Sequence, residues 1–378
     1  MSTLNGIKVI SSDSHVLEPP DLWTSRMHSK WGDRIPKVIA GQDADHWVVD
    51  GEEMGIIGTF GASAGMRFEN PGDIVREGRY EDIRKGGFDP HARMEDLQLD
   101  GVHADFLYPS FAMEMYAIPD TQLLQGICSA YNDWLIEYCA AYPDKLKGIA
   151  MIALDDDIET GISEIRRCAN LGLVGAMITV WPRPGETYDH PMYDPFWSTA
   201  QELNIPLSLH QVTNRSVPKA PDADTVVISQ SGAGRVNADY WVRMSLCHMI
   251  YSGVFERYPD LNVINVENDL AWLPYFINRL DVTYIERPTQ TAYRFKDGVL
   301  PSDIMRRNVH HSFQEDGIGI RDRDIIGVET LMWGSDYPHA ESTFPKSREI
   351  LDSILEGVSE EEKAMIVGGN CAKLYNLE

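Results

Sequence analysis

Six side chains in this sequence have the types and spacing to hold a metal ion. Asp13 and His15 lie two residues apart, with Glu18 just beyond them. His210 falls near the end of the run IPLSLHQ, Glu267 near the end of LNVINVEN, and Asp336 closes TLMWGSD. Residues two apart in an extended strand project to the same side, so Asp13 and His15 can point together. A carboxylate at the end of an apolar run must be solvated, hydrogen-bonded or bound to a cation, because an unpaired buried charge is very costly. Imidazoles mixed with carboxylates suit Zn, Mn, Fe or Co. Taken singly, each residue has a plainer reading: a satisfied core histidine, or, for Asp336, the cap of the turn that Pro338 announces. Their shared position at the ends of apolar runs is what points to a site.

The elements that must position them follow from the same runs. Residues 9–15, 104–110, 146–154, 173–180, 205–211, 261–268, 308–313 and 330–336 read as strands, the seventh more weakly than the rest. Helical apolar spacing separates most of them, as in 121–141, 158–171 and 195–203. Strands alternating with helices predict a parallel (β/α)8 barrel, the TIM-barrel architecture, in which active sites form at the C-terminal strand ends. Two connections exceed what a barrel needs, at about 18–100 and 212–250. The first holds HWVVDGEEMGIIG, which reads as a small hairpin, and the glycine-rich GTFGASAGMRF. Insertions on this side would roof the mouth, the alternative being a separate N-terminal subdomain. The C-terminal EGVSEEEKAMIVGGNCAKLYNL reads as a closing helix pair.

Composition excludes several classes. The chain has 378 residues, 43% apolar and 24% charged, as in ordinary globular proteins. With 58 acidic against 33 basic residues, its net charge is −25. That balance argues against nucleic acid and anionic membranes as partners, both of which need a basic face. Cys128, Cys139, Cys168, Cys247 and Cys371 form no C-x-x-C pair, so reduced, mostly buried thiols in a cytoplasmic protein are expected. Neither a signal peptide nor a membrane-spanning stretch is expected.

The stretches DSHVLEPPDLW, GGFDPHARMEDLQLDGVHADFLYPS, SGVFERYPDLNVINVENDLAWLP and MWGSDYPHAESTFPKS resemble the amidohydrolase-related branch of the amidohydrolase superfamily. That branch includes metal-dependent decarboxylases of the aminocarboxymuconate-semialdehyde and resorcylate type. The matches run in order from about residue 9 to 375. The resemblance implies one distorted barrel domain over 1–378, with a metal at the strand ends. It places Asp13 and His15 as the first-strand ligand pair, His210 as the fifth-strand histidine and Asp336 as the last-strand aspartate. It also implies an oligomer, commonly a dimer, with a heteromer left open. Trp272, Pro274 and Tyr275 could lie at an interface or simply pack a helix.

The sequence departs from the branch at Glu267, where members often carry a histidine. Glu267 is a second-metal ligand, a general acid/base or partner of a histidine, or a structural residue. Two functions follow. In the first, one divalent Zn, Mn or Fe ion serves the hydrolysis or decarboxylation of a small organic acid or amide, with Asp336, Glu267 and His210 as catalytic groups. The alternative is a dinuclear Fe/Mn monooxygenase that activates O₂ and binds two ions per chain through Asp13, His15, Glu18, His210, Glu267 and Asp336. A binding protein that has lost its chemistry is the third reading.

Around this set, Tyr108, Trp181, His311 and His339 are candidate substrate-binding residues. Strand alternation lets only one of His310 and His311 face inward. His339 and Glu341 could touch substrate or support the ligands. His248 reads as structural, and His91 and Arg93 as capping and solvating the helix they begin.

Overall fold

The computed structural model describes residues 4, 6–57, 63–69, 74, 78–215, 232–291 and 293–377. Part of the glycine-rich stretch and much of the 212–250 connection lie outside them. Eight parallel strands form the barrel: β1 (Ile10–His15), β5 (Ala104–Tyr108), β6 (Leu146–Met151), β7 (Gly175–Ile178), β8 (Leu207–His210), β9 (Val263–Val266), β10 (Val309–Phe313) and β11 (Leu331–Trp333). Neighbours in the sheet follow this chain order. Each expected strand is present but shorter; six of the eight stop short at the C-terminal end, where the chain bends into the loops around the mouth, and β1 and β10 lose only their first residue.

The seam between β11 and β1 is closed by local hydrogen bonds. Asp336 N–H donates to the Asp13 carbonyl (2.9 Å), and Ser12 Oγ donates to the Trp333 carbonyl (2.9 Å). Gly334 permits this approach. A Cβ there would stand 2.6 Å from Asp13 Cβ and 2.9 Å from Ser312 Oγ, so any side chain would push the last strand off the first.

Helices cover the outside of the barrel, and their starts are written in the sequence. Asp120 accepts N–H groups of Gln122 and Leu123 at the head of Thr121–Cys139. Asp157 does the same for Thr160 in Ile158–Asn170. The helix Pro90–Asp100 is capped by Asp89, has Pro at its first position, and ends at Gly101 with φ 73°. His91 and Arg93 therefore do not cap it. His91 is exposed, its Nδ1 2.9 Å from Tyr142 Oη, whereas Arg93 is fully buried.

The hairpin expected in the first insertion is β3 (Asp45–Val49) with β4 (Glu52–Ile56), and β2 (Lys37–Ala40) extends it to three antiparallel strands. Asp50 and Gly51 turn it with φ of 54° and 83°, the positive pair that a two-residue hairpin loop needs. Its Trp47 packs between Trp23 and Phe111, which places this sheet beside the loop leaving β5. In the second insertion, Ser245 of the helix Tyr240–Tyr251 donates to the Val180 carbonyl (2.5 Å), just past β7. Both described insertions therefore meet the C-terminal end of the barrel, where roofing was expected.

The C-terminal helix pair is not observed. Glu360–Ala364, a π-helical turn at Met365–Gly369 and Asn370–Leu374 form one helical run. The bulge fits the close passage of Gly368, whose Cβ would lie 2.4 Å from the Lys8 carbonyl oxygen. All five cysteines are free, and four are buried. No helix among the described residues is long and apolar enough to cross a membrane.

Candidate metal centre

β1 brings Asp13 and His15 to the mouth, β8 brings His210, and the turn after β11 brings Asp336. Asp13 Oδ1 lies 3.5 Å from His15 Nε2 and 3.4 Å from His210 Nε2. Asp336 Oδ1 lies 3.2 Å from His15 Nε2. All four side chains are buried. With metal–ligand bonds of about 2.1 Å, adjacent donors around one ion stand about 3.0–3.4 Å apart, which is the spacing seen here.

Both imidazoles are aimed by their second nitrogen. His15 Nδ1–H donates to the Pro109 carbonyl (2.7 Å), and His210 Nδ1–H to the Gln211 carbonyl (3.1 Å). Each ring then turns an Nε2 lone pair toward the carboxylates, the wiring usual for metal-binding histidines. Asp13 Oδ1, both Nε2 atoms and both Asp336 oxygens are buried with no hydrogen-bond partner. An unsatisfied buried polar atom costs about 1–3 kcal/mol, so this convergence is what a ligand set would show, and the donor chemistry fits a divalent transition metal.

The electrostatics agree. Burial alone would raise the Asp13 carboxyl, but the His210 and His15 imidazoles more than offset it and hold it below its ordinary range. Burial is likewise outweighed at Asp336, by His339 and His15. At His15, burial opposes the charged form, yet Asp13 and Asp336 raise its pKa well above that of a free imidazole. Two carboxylates thus favour a cation between them.

Backbone placement reinforces the site. Asp336 and Glu267 both adopt φ of 58°, a left-handed conformation uncommon for such residues and frequent at functional sites. Behind β1, the buried Arg93 donates from Nη1 to the His15 carbonyl (2.7 Å) and pairs with Asp105 (2.7 Å). Arg93 thus fixes the ligand-bearing strand from outside. Sequence reading missed this role, because a charged residue in the first turn of a helix ordinarily faces water.

Glu267 stands beside the ligands, its Oε2 3.6 Å from His210 Nδ1. Burial, then the nearby Asp336, Glu341 and Asp13, push its carboxyl well above the usual range. Oxygens of Glu267, Asp336 and Glu341 lie within 4.8 Å of one another, a second cluster adjoining the first.

Glu18 is not brought into either cluster. Its carboxylate accepts the N–H groups of Ser110, Phe111 and Ala112 at 3.0–3.1 Å, so it holds the loop after β5. His311 is also elsewhere. It is in register with Asn265 on β9, which is in register with Leu209 on β8. That row is one residue out of phase with Ser208, whose Oγ meets Tyr108 Oη inside the barrel (2.8 Å). His311 therefore faces the helices, and burial lowers its pKa to about 3. His310 takes the inward phase but sits low on its strand, with Nε2 3.2 Å from Asn262 Oδ1. Neither reaches the centre.

Tyr108 lies within the barrel with its ring 5.1 Å from His210, its hydroxyl engaged by Ser208. Trp181 lies past β7 against Trp241 (5.2 Å) and His248 (5.7 Å), and His248 Nδ1 is 3.1 Å from Asp189. His339 does reach the centre. It is buried and stacked on His15, ring centroids 4.0 Å apart. Ser110, which the sequence reading passed over, is buried with Oγ 2.9 Å from His339 Nε2. Its only sequence signal was its place at the end of a strand run.

Comparison with known proteins gives a consistent picture. A family model described as Amidohydrolase matches residues 71–281 and 321–377. A gamma-resorcylate decarboxylase from Rhizobium sp. (strain MTP-10005) is 28% identical over 288 residues, covering 71% of this chain and 81% of that protein. Among solved structures, an amidohydrolase from Mycobacterium avium subsp. paratuberculosis K-10 superposes with a TM-score of 0.79 at 20% identity, covering 98% of this chain and 99% of that one. A dihydroxybenzoic acid decarboxylase from Polaromonas sp. JS666, solved with bound manganese and the inhibitor 2-nitroresorcinol, gives 0.66 at 18% identity over 98% and 97% of the two chains.

Proposed function

Because this chain belongs to the amidohydrolase family, we propose that it is a metal-dependent decarboxylase of a small aromatic or conjugated carboxylic acid. The observation that carries this is the convergence of unpartnered Asp13, His15, His210 and Asp336 atoms in a buried barrel mouth. The gamma-resorcylate decarboxylase relative supports decarboxylation over hydrolysis of an acid or amide. The manganese in the Polaromonas structure supports Mn over Zn or Fe. One divalent ion held by these four residues would supply a Lewis acid that anchors a substrate carboxylate and neutralises its charge.

The chain's own residues do the rest. Pro109 and Gln211 carbonyls keep the His15 and His210 lone pairs facing the site. Burial keeps water from competing for the substrate. Loss of CO₂ leaves an electron pair on carbon, which must receive a proton. Glu267, beside His210, is the group we assign to hold and deliver that proton, and it regains one from solvent.

The dinuclear monooxygenase is not favoured. Glu18, one of the four carboxylates it would need, is engaged by three backbone N–H groups. We further propose a cytoplasmic homodimer acting on a small molecule, with the exposed Tyr275 near its interface.

The test is to load the protein with Mn²⁺, count ions per chain by elemental analysis, and measure anaerobic CO₂ release from hydroxybenzoates. We expect about one ion per chain and turnover that chelation abolishes. Two ions per chain with O₂ consumption would overturn the proposal in favour of the oxygenase.

A further inference from the structure

We infer that His339 is a further ligand of the same ion, so that the centre offers three imidazoles rather than two. The inference rests on the reading of Asp13, His15, His210 and Asp336 as metal ligands. His339 Nδ1 lies 2.8 Å from Asp336 Oδ1, which is itself 3.2 Å from His15 Nε2. Donor atoms of His15, Asp336 and His339 lie within 4.8 Å of one another, as do those of Asp13, His15 and His210. The two groups adjoin at His15, and we read them as one centre.

The ring is held as the other two are. His15 and His210 each commit the remote nitrogen to a carbonyl oxygen. His339 places its remote nitrogen against an oxygen as well: Nε2 is 2.9 Å from Ser110 Oγ, and with the proton on Nε2 an Nδ1 lone pair faces the centre. Its ring stacks on that of His15, with 26° between the planes, which holds it in place. The turn itself makes this placement inexpensive. His339 N–H donates to the Asp336 carbonyl (3.0 Å), so one tight loop presents both an imidazole and a carboxylate.

The consequence is chemical. A third nitrogen adds a donor to the set, so the centre holds a divalent transition metal more tightly. The alternative arrangement, in which Nδ1–H donates to Asp336, would leave two imidazoles on the ion.

Spin-echo modulation spectroscopy of the Cu²⁺-loaded full-length protein counts coordinated imidazoles through their remote nitrogens, without any assay of turnover. We expect three in the wild-type protein and two in His339→Gln. Mn²⁺ affinity, titrated against a competing chelator, should fall roughly 10–100-fold in that variant. Ser110→Ala, which leaves the ring in place, should keep three imidazoles and lose less affinity. Two imidazoles in the wild-type protein, unchanged in His339→Gln, would overturn the assignment while leaving the four-residue centre intact. A wild-type protein that takes up no Cu²⁺ or Mn²⁺ would instead overturn the metal-centre reading, and this assignment with it.

Discussion

Glu18, buried, and Glu267, largely buried, are glutamates beyond the ends of barrel strands, yet their surroundings are opposite. The region after β1 gives Glu18 three backbone N–H donors. The region after β9 gives Glu267 a histidine nitrogen at 3.6 Å and the carboxylates of Asp336, Glu341 and Asp13 as electrostatic neighbours. A carboxylate ringed by donors fixes a loop, because its charge is already answered. A carboxylate crowded by other carboxylates is held ready for a proton or a cation. Burial alone therefore does not mark a functional acid. The partners of its oxygens do.

Four substitutions would break or sharpen this contrast. The largest effect belongs to Asp336→Ala, which removes one of the four converging side chains. We expect metal content to collapse and CO₂ release to fall by at least about 10³-fold. Full metal retention, by elemental analysis, would mean that Asp336 belongs with Glu18 instead.

Glu18→Ala should act on stability. It strips three backbone N–H groups of their acceptor, a loss of about 3 kcal/mol, to be read from the denaturant midpoint. Metal content should stay at the wild-type level. A variant of normal stability that cannot bind metal would make Glu18 a ligand after all.

Glu267→Gln should keep its metal and fold while turnover drops on the order of 10²-fold. Loss of metal with the proton-transfer residue would turn Glu267 into a ligand and reopen the dinuclear reading.

The smallest effect tests a third buried carboxylate, Asp100, which accepts Ser347 N–H (2.9 Å) and the Ser347 hydroxyl (2.5 Å). Burial pushes it up to about 6 from an ordinary 3.8. The folded chain then holds a proton that the unfolded chain releases between these values. Its stabilising contribution is full below the unfolded value and is lost as pH rises through the folded one, about 3 kcal/mol in all. Asp100→Asn should flatten that slope, measured as the wild-type-minus-variant difference in unfolding free energy at pH 4.5 and 7. An unchanged slope would place the titration elsewhere.

The barrel was legible because its signals are local. Apolar runs such as IPLSLHQ and LMWGSD, separated by helical spacing, mark strands wherever they fall. Chain order then fixes strand order, since parallel neighbours joined by helices lie side by side. That Asp13, His15, His210 and Asp336 would converge was also legible, because strand ends in such a barrel gather at one mouth. The partners of each atom were not. Glu18 meets amides some 92–94 positions away, and Arg93 meets the His15 carbonyl 78 positions away. His311 faces the helices because register with β9 and β8 sets its phase, and a one-residue shift would have turned it inward. Sequence by itself determined which residues could do the chemistry and at which end of the molecule. Tertiary structure decided which of them were already satisfied, because a hydrogen bond depends on position in space and not on distance along the chain.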